Sequence, residues 1–139
     1  MARLGRAIAA VAVLLLLGAI TDSHAAETRI ALVIGNSAYV NAPLVNPAND
    51  AKLMASTLRD QGFEVIERLD VDQVAMRLAI TEFGKKLELA ERELDGSGAA
   101  GRAIGLFYYA GHGLQVDGEN YLVPLNAPIE NESHERIYT

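Results

Sequence analysis

Ala103-Ile104-Gly105-Leu106-Phe107-Tyr108-Tyr109-Ala110-Gly111-His112-Gly113 is a short apolar run that stops at a histidine set between two glycines. A run of this kind reads as a buried β-strand, and open α/β sheets carry their sites at the carboxyl ends of such strands. Flanking glycines admit backbone angles closed to other residues and let a substrate approach the main chain. Imidazole has an unperturbed pKa of about 6.5, so His112 is suited to proton exchange near neutrality. A lone histidine is commonly a surface or packing residue, but that reading explains neither the two glycines nor the strand before them.

Working outward, the pattern alternates strand and helix. Arg29 to Ile34 is continuously apolar after its first residue and is broken by Gly35-Asn36-Ser37, which predicts a strand buried on both faces of a parallel sheet. Asn46-Pro47 reads as an N-cap followed by proline in the first helical turn. Ala51, Met54, Ala55 and Leu58 then recur at helical spacing, and Gly62 stands where a left-handed cap belongs. Phe63 to Leu69 is the second strand. Asp72 is placed to cap a helix with the apolar stripe Met76, Ile80, Phe83, Leu87, Ala90 and Leu94. Asp95 to Gly101 reads as a flexible connector, and Ala103 to Tyr109 as the third strand. Leu114-Gln115-Val116 and Asn120 to Val123 flank Asp117-Gly118, a hairpin signature. If, in the order β-α-β-α-β, strand one lies between two and three, Gly35-Asn36 and Gly111-His112-Gly113 face each other across one crevice.

These motifs resemble the caspase-like cysteine peptidases, the group that includes caspases, metacaspases and their bacterial relatives. The similarity rests on Arg29 to Tyr39, on Asn46-Pro47-Ala48-Asn49-Asp50-Ala51, on Gly62-Phe63-Glu64-Val65, on Tyr108 to Gly113, and on the hairpin through Pro124. It covers residues 29–126 nearly throughout. The resemblance implies a three-layer, flavodoxin-like α/β fold with a mostly parallel sheet, incomplete at its C-terminus. It also implies that His112 assists a cysteine thiolate and protonates the leaving amine, while the Gly113 N–H helps bind the oxyanion. By the same resemblance to metacaspases, Asp50 lines a pocket for a basic substrate side chain, although the helix dipole alone accounts for a first-turn carboxylate. Asn36, Ser37 and Tyr39 are expected on the same rim, with Asn36 contacting substrate. Tyr108 and Tyr109 are expected to alternate between sheet faces as packing.

The resemblance implies a nucleophile at the end of a further strand, in an Asp-Ala-Cys or Asp-Ser-Cys segment. The 139 residues contain no cysteine. Residues 26–139 therefore read as the N-terminal part of a caspase-like domain that is inactive as it stands, with a peptide or protein as the substrate of its parent. The alternative is a non-catalytic interaction module of the same fold; a flavodoxin-like small-ligand binder is weaker, because no phosphate-loop spacing is present.

Residues 1–25 have Arg3 and Arg6 ahead of the apolar stretch Ile8 to Ile20 and end in small residues, the pattern of a secretory signal peptide cleaved after Ala25. The apolar stretch is shorter than the roughly 20 residues of a spanning helix, so export to the periplasm or the extracellular space is expected, with no stable membrane span after cleavage. Without this leader the chain carries 10 basic and 17 acidic residues, a net charge of −7. Nucleic acid is accordingly not an expected partner. Neither a metal nor another cofactor is expected: His24 belongs to the leader, and His134 has no ligand-spaced neighbours.

Overall fold

A computed structural model describes residues 26–97 and 101–127 of the protein. The expected leader, the centre of the Asp95–Gly101 connector and the tail with His134 lie outside the described residues. Strand β1 (Ala26–Gly35) is followed by α1 (Pro47–Asp60), β2 (Glu64–Leu69), α2 (Gln73–Ser97) and β3 (Gly101–Ala110). A hairpin of β4 (Gly113–Val116) and β5 (Glu119–Leu122) completes the order. The main sheet is parallel with order β2-β1-β3, so the apolar strand is central as its sequence requires. Gly35 pairs with Leu69 on one side and Ala110 on the other.

The two faces of β1 divide the core. Ala31 and Val33 pack with Ala51, Ala55 and Leu58 of α1. Leu32 and Ile34 pack with Ile66, Val71, Met76 and Ala79, the last two on α2. Each side chain of β1 from Ile30 to Ile34 is thus removed from water, worth about 1.5–3 kcal/mol for each large aliphatic group. The result is three layers, with the sheet between two helices.

Several local expectations need correction. The strand β1 begins three residues earlier than the expected start at Arg29, at Ala26. Asn46 makes no side-chain cap; its carbonyl accepts the N–H groups of Asn49 and Asp50, and the free Ala48 N–H is taken by Ser37 Oγ at 2.9 Å. A side chain distant in sequence does the capping, which local composition does not reveal. Asp72 does cap α2, accepting the Ala75 N–H at 2.8 Å. That helix continues through Asp95, Gly96 and Ser97, so the connector is shorter than expected. Ile80 is 46 % exposed, while Ala79 takes the core position. The hairpin turns on Asp117 and Gly118, both at positive φ (51° and 83°), as two-residue hairpins favour. Among the described residues no helix is long and apolar enough to cross a membrane.

Candidate active site

β1 and β3 end side by side, and the Asn36 N–H continues their pairing by donating to Ala110 O at 2.8 Å. The chain leaving β1 and the chain leaving β3 therefore diverge from one point. The β1 exit is held in place by Asp70, itself at positive φ (53°), whose Oδ1 accepts the N–H groups of Ser37 and Ala38 at 2.7 and 2.9 Å. Sequence reading passed over Asp70, because its partners lie more than thirty residues upstream.

His112 sits partly buried at this divergence. Its Nε2 lies 2.8 Å from the carbonyl oxygen of Ala42, in the loop that follows β1. A carbonyl only accepts, so in the neutral ring Nε2 carries the proton and Nδ1 keeps its lone pair. The Tyr39 ring meets the imidazole edge-on, with centroids 4.6 Å apart and planes at 60°. The Tyr39 hydroxyl accepts the His112 backbone N–H at 3.1 Å and donates to Val123 O at 2.8 Å. Tyr109, the second aromatic of β3, points to the α2 face while Tyr108 points to the α1 face, as alternation requires. The Tyr109 hydroxyl approaches Val123 O at 2.8 Å, Tyr39 Oη at 3.0 Å and His112 O at 3.1 Å. Burial, and then the contact with Tyr39, push its pKa well above the usual phenol range, so it stays a donor at neutral pH.

The unusual backbone angles expected of the glycines beside His112 are not found. Neither has positive φ. A Cβ on Gly111 would lie 2.6 Å from Tyr109 Oη and 2.7 Å from Tyr39 Oη, so the two phenols as placed leave no room for one. Gly113 is exposed at the start of β4, and a Cβ there would meet nothing nearer than Tyr121 O at 3.5 Å.

Asn36 is also corrected. It is 0 % exposed, with Oδ1 accepting the Val71 N–H at 2.9 Å and Nδ2 donating to Val71 O at 3.2 Å and Val123 O at 3.4 Å. It ties the β1 exit to the segments after β2 and β5 and faces no solvent. Ser37 and Tyr39, expected on the rim with it, also turn inward, to Ala48 and to His112 and Val123. Asp50 lies exposed in the first turn of α1, at the end of the sheet that carries His112. Its carboxylate has no hydrogen-bond or ion-pair partner among the described residues, where no cluster of three or more His, Cys, Asp or Glu able to hold a metal occurs either. Ala42, Tyr39, Tyr109 and Val123 complete the surroundings of His112, with Tyr39 buried and Tyr109 partly buried.

Residues 28–137 match the caspase domain family. The chain is 36 % identical over 109 residues to the human mucosa-associated lymphoid tissue lymphoma translocation protein 1, and 34 % identical over the same length to its mouse homolog. Each match covers 78 % of this chain and 12 % of the relative, so the chain spans about an eighth of those proteins.

Proposed function

Since this chain belongs to the caspase domain family, we propose that it supplies the histidine half of a cysteine endopeptidase, the thiolate coming from polypeptide outside these 139 residues. The observation that carries the reading is the 2.8 Å contact of His112 Nε2 with Ala42 O, which leaves Nδ1 free to act as a base. In the proposed reaction Nδ1 takes the thiol proton and the thiolate attacks the scissile carbonyl of a peptide substrate. The imidazolium then gives that proton to the leaving amine as the C–N bond breaks. Water, deprotonated by the same ring, hydrolyses the thioester and regenerates the thiol. The Gly113 N–H serves the developing oxyanion. Asp50, exposed and unpaired, receives an Arg or Lys side chain of the substrate through charge-assisted hydrogen bonds.

The absence of cysteine favours one other reading, a non-catalytic interaction module. The purified chain is expected to hydrolyse no Arg- or Lys-containing peptide, whereas a protein extended by the coding sequence that follows Thr139 is expected to do so if that sequence supplies an Asp-x-Cys strand end. A downstream sequence without such a cysteine, or an extended protein inert toward every peptide, would replace the peptidase reading with the module.

The reading includes export, on the strength of residues 1–25. Expressed in a Gram-negative host, the protein is expected in the periplasm with its N-terminus at Ala26 or Glu27. Intact protein starting at Met1 in the cytoplasm, measured by mass spectrometry, would contradict export.

A further inference from the structure

We propose that Tyr39 and Tyr109 form a hydroxyl pair that positions His112, fixing the tautomer and direction of its imidazole through the backbone on either side of it. The inference rests on the reading of His112 as the general base, and it adds residues that the sequence placed on a rim or in the core.

The two phenol oxygens flank the His112 backbone, one at its N–H and one near its carbonyl. Tyr39 Oη accepts the His112 N–H, and Tyr109 Oη reaches the His112 carbonyl, which also accepts the Val123 N–H at 3.1 Å. Tyr39 Oη donates to Val123 O at 2.8 Å, and the single Tyr109 hydroxyl proton is shared between Val123 O at 2.8 Å and the His112 carbonyl at 3.1 Å. Val123 is buried and is tied separately to Asn36, so this anchor belongs to the core of the fold. The loop that brings Tyr39 to the backbone brings Ala42 to the ring, three residues later. One loop thus grips the residue at its N–H, at its ring edge and at Nε2.

Packing alone accounts for aromatic rings in these places but not for their hydroxyls. A buried hydroxyl without a partner is unfavourable, and phenylalanine would fill the same volume without one. Gly111 gives the independent sign: a Cβ there would lie 2.6 Å from Tyr109 Oη and 2.7 Å from Tyr39 Oη, so a larger residue would have to push the hydroxyl pair aside. The glycine before the histidine is the space the hydroxyl pair occupies.

The test is NMR of the 139-residue chain labelled with 15N-histidine, His112 being assigned by its loss in His112→Gln. In the native chain the imidazole is expected almost wholly as the Nε2–H tautomer at a pH where it is neutral. Tyr39→Phe keeps the ring and removes the hydroxyl. It is expected to give a mixture of tautomers and an His112 amide that exchanges about tenfold faster, the factor matching about 1.4 kcal/mol for the lost hydrogen bond. Tyr109→Phe leaves Tyr39 in place and is expected to move the same two signals, so the test stands if one variant fails to fold. A folded variant of either kind with tautomer and exchange unchanged overturns the proposal; so does a native chain without tautomer preference. Because the readout needs no cysteine, a tautomer shift accompanied by an inert extended protein sinks the peptidase reading and leaves the positioning pair standing. An active extended protein with an unmoved tautomer does the reverse.

Discussion

Replacing Gly35 by alanine is expected to destroy cooperative folding or to lower the urea midpoint severely. A Cβ at this position would lie 2.6 Å from Ala51 Cβ and 2.6 Å from Pro47 O, with Pro47 C at 3.1 Å. None of these atoms belongs to a side chain that can swing away. Relief requires the whole first turn of α1 to lift from β1, opening the contacts of Ala51 and Ala55 with Ala31 and Val33 and straining the Ala48 N–H bond to Ser37. Overpacking commonly costs about 1–3 kcal/mol, and a backbone obstacle puts Gly35 at or above the top of that range. Total stability for a domain of this kind is only about 5–15 kcal/mol. Gly84, inside α2 with nothing within 4 Å of its would-be Cβ, is the control: Gly84→Ala is expected to stabilise by up to about 1 kcal/mol. An unchanged midpoint for Gly35→Ala would show that α1 does not approach β1 this closely.

If the sequence after Thr139 supplies an Asp-x-Cys strand end, His112→Ala in the extended protein is expected to reduce kcat by a factor on the order of 10²–10⁴ with little change in peptide binding, because a positioned acid–base group acts on the transition state. Asp50→Ala should behave differently. An exposed, unpaired carboxylate that receives a substrate cation contributes to binding, so KM for basic peptides should rise and kcat/KM fall by up to roughly fivefold, matching the upper end of about 0.2–1 kcal/mol for an exposed ion pair. Peptides with a neutral residue at the cleaved position should be unaffected. If the extended protein cleaves basic peptides equally well with and without Asp50, that residue is a helix-start carboxylate alone. Turnover that survives His112→Ala would remove the histidine from the chemistry.

The sheet order was legible because its causes are local to each strand. A run such as Ile30 to Ile34 tolerates water on neither face, which places it centrally, and the glycine-bounded histidine marks the strand end beside it. The inner side of the site was not legible. Asn36 looks like a loop residue in sequence, yet its partners are Val71 and Val123, which only the folded topology brings to it. The same holds for the Ser37 cap of α1 and for the hydroxyls of Tyr39 and Tyr109, whose rings alone predict packing. Ile80 was misread for a different reason. Ile80 lies about 40° round the helix from Met76 on one side, whereas the buried Ala79 and Ala90 lie on the other, so the face that meets the sheet is centred away from Ile80.

The grip on His112 also has a kinetic side. Its bonds to Ala42 and Tyr39 span 70 and 73 residues of chain, and the Tyr39 anchor on Val123 spans 84. None of them can form before both crossovers are complete and the hairpin has returned to the core. Contacts this distant in sequence slow folding and gain strength only late in it. The histidine is therefore assembled at the end of the reaction, after the barrier that the sheet itself must cross. Weakening the grip should hasten unfolding while leaving the folding rate almost untouched, so the chain reaches its folded topology before its imidazole is ready for use.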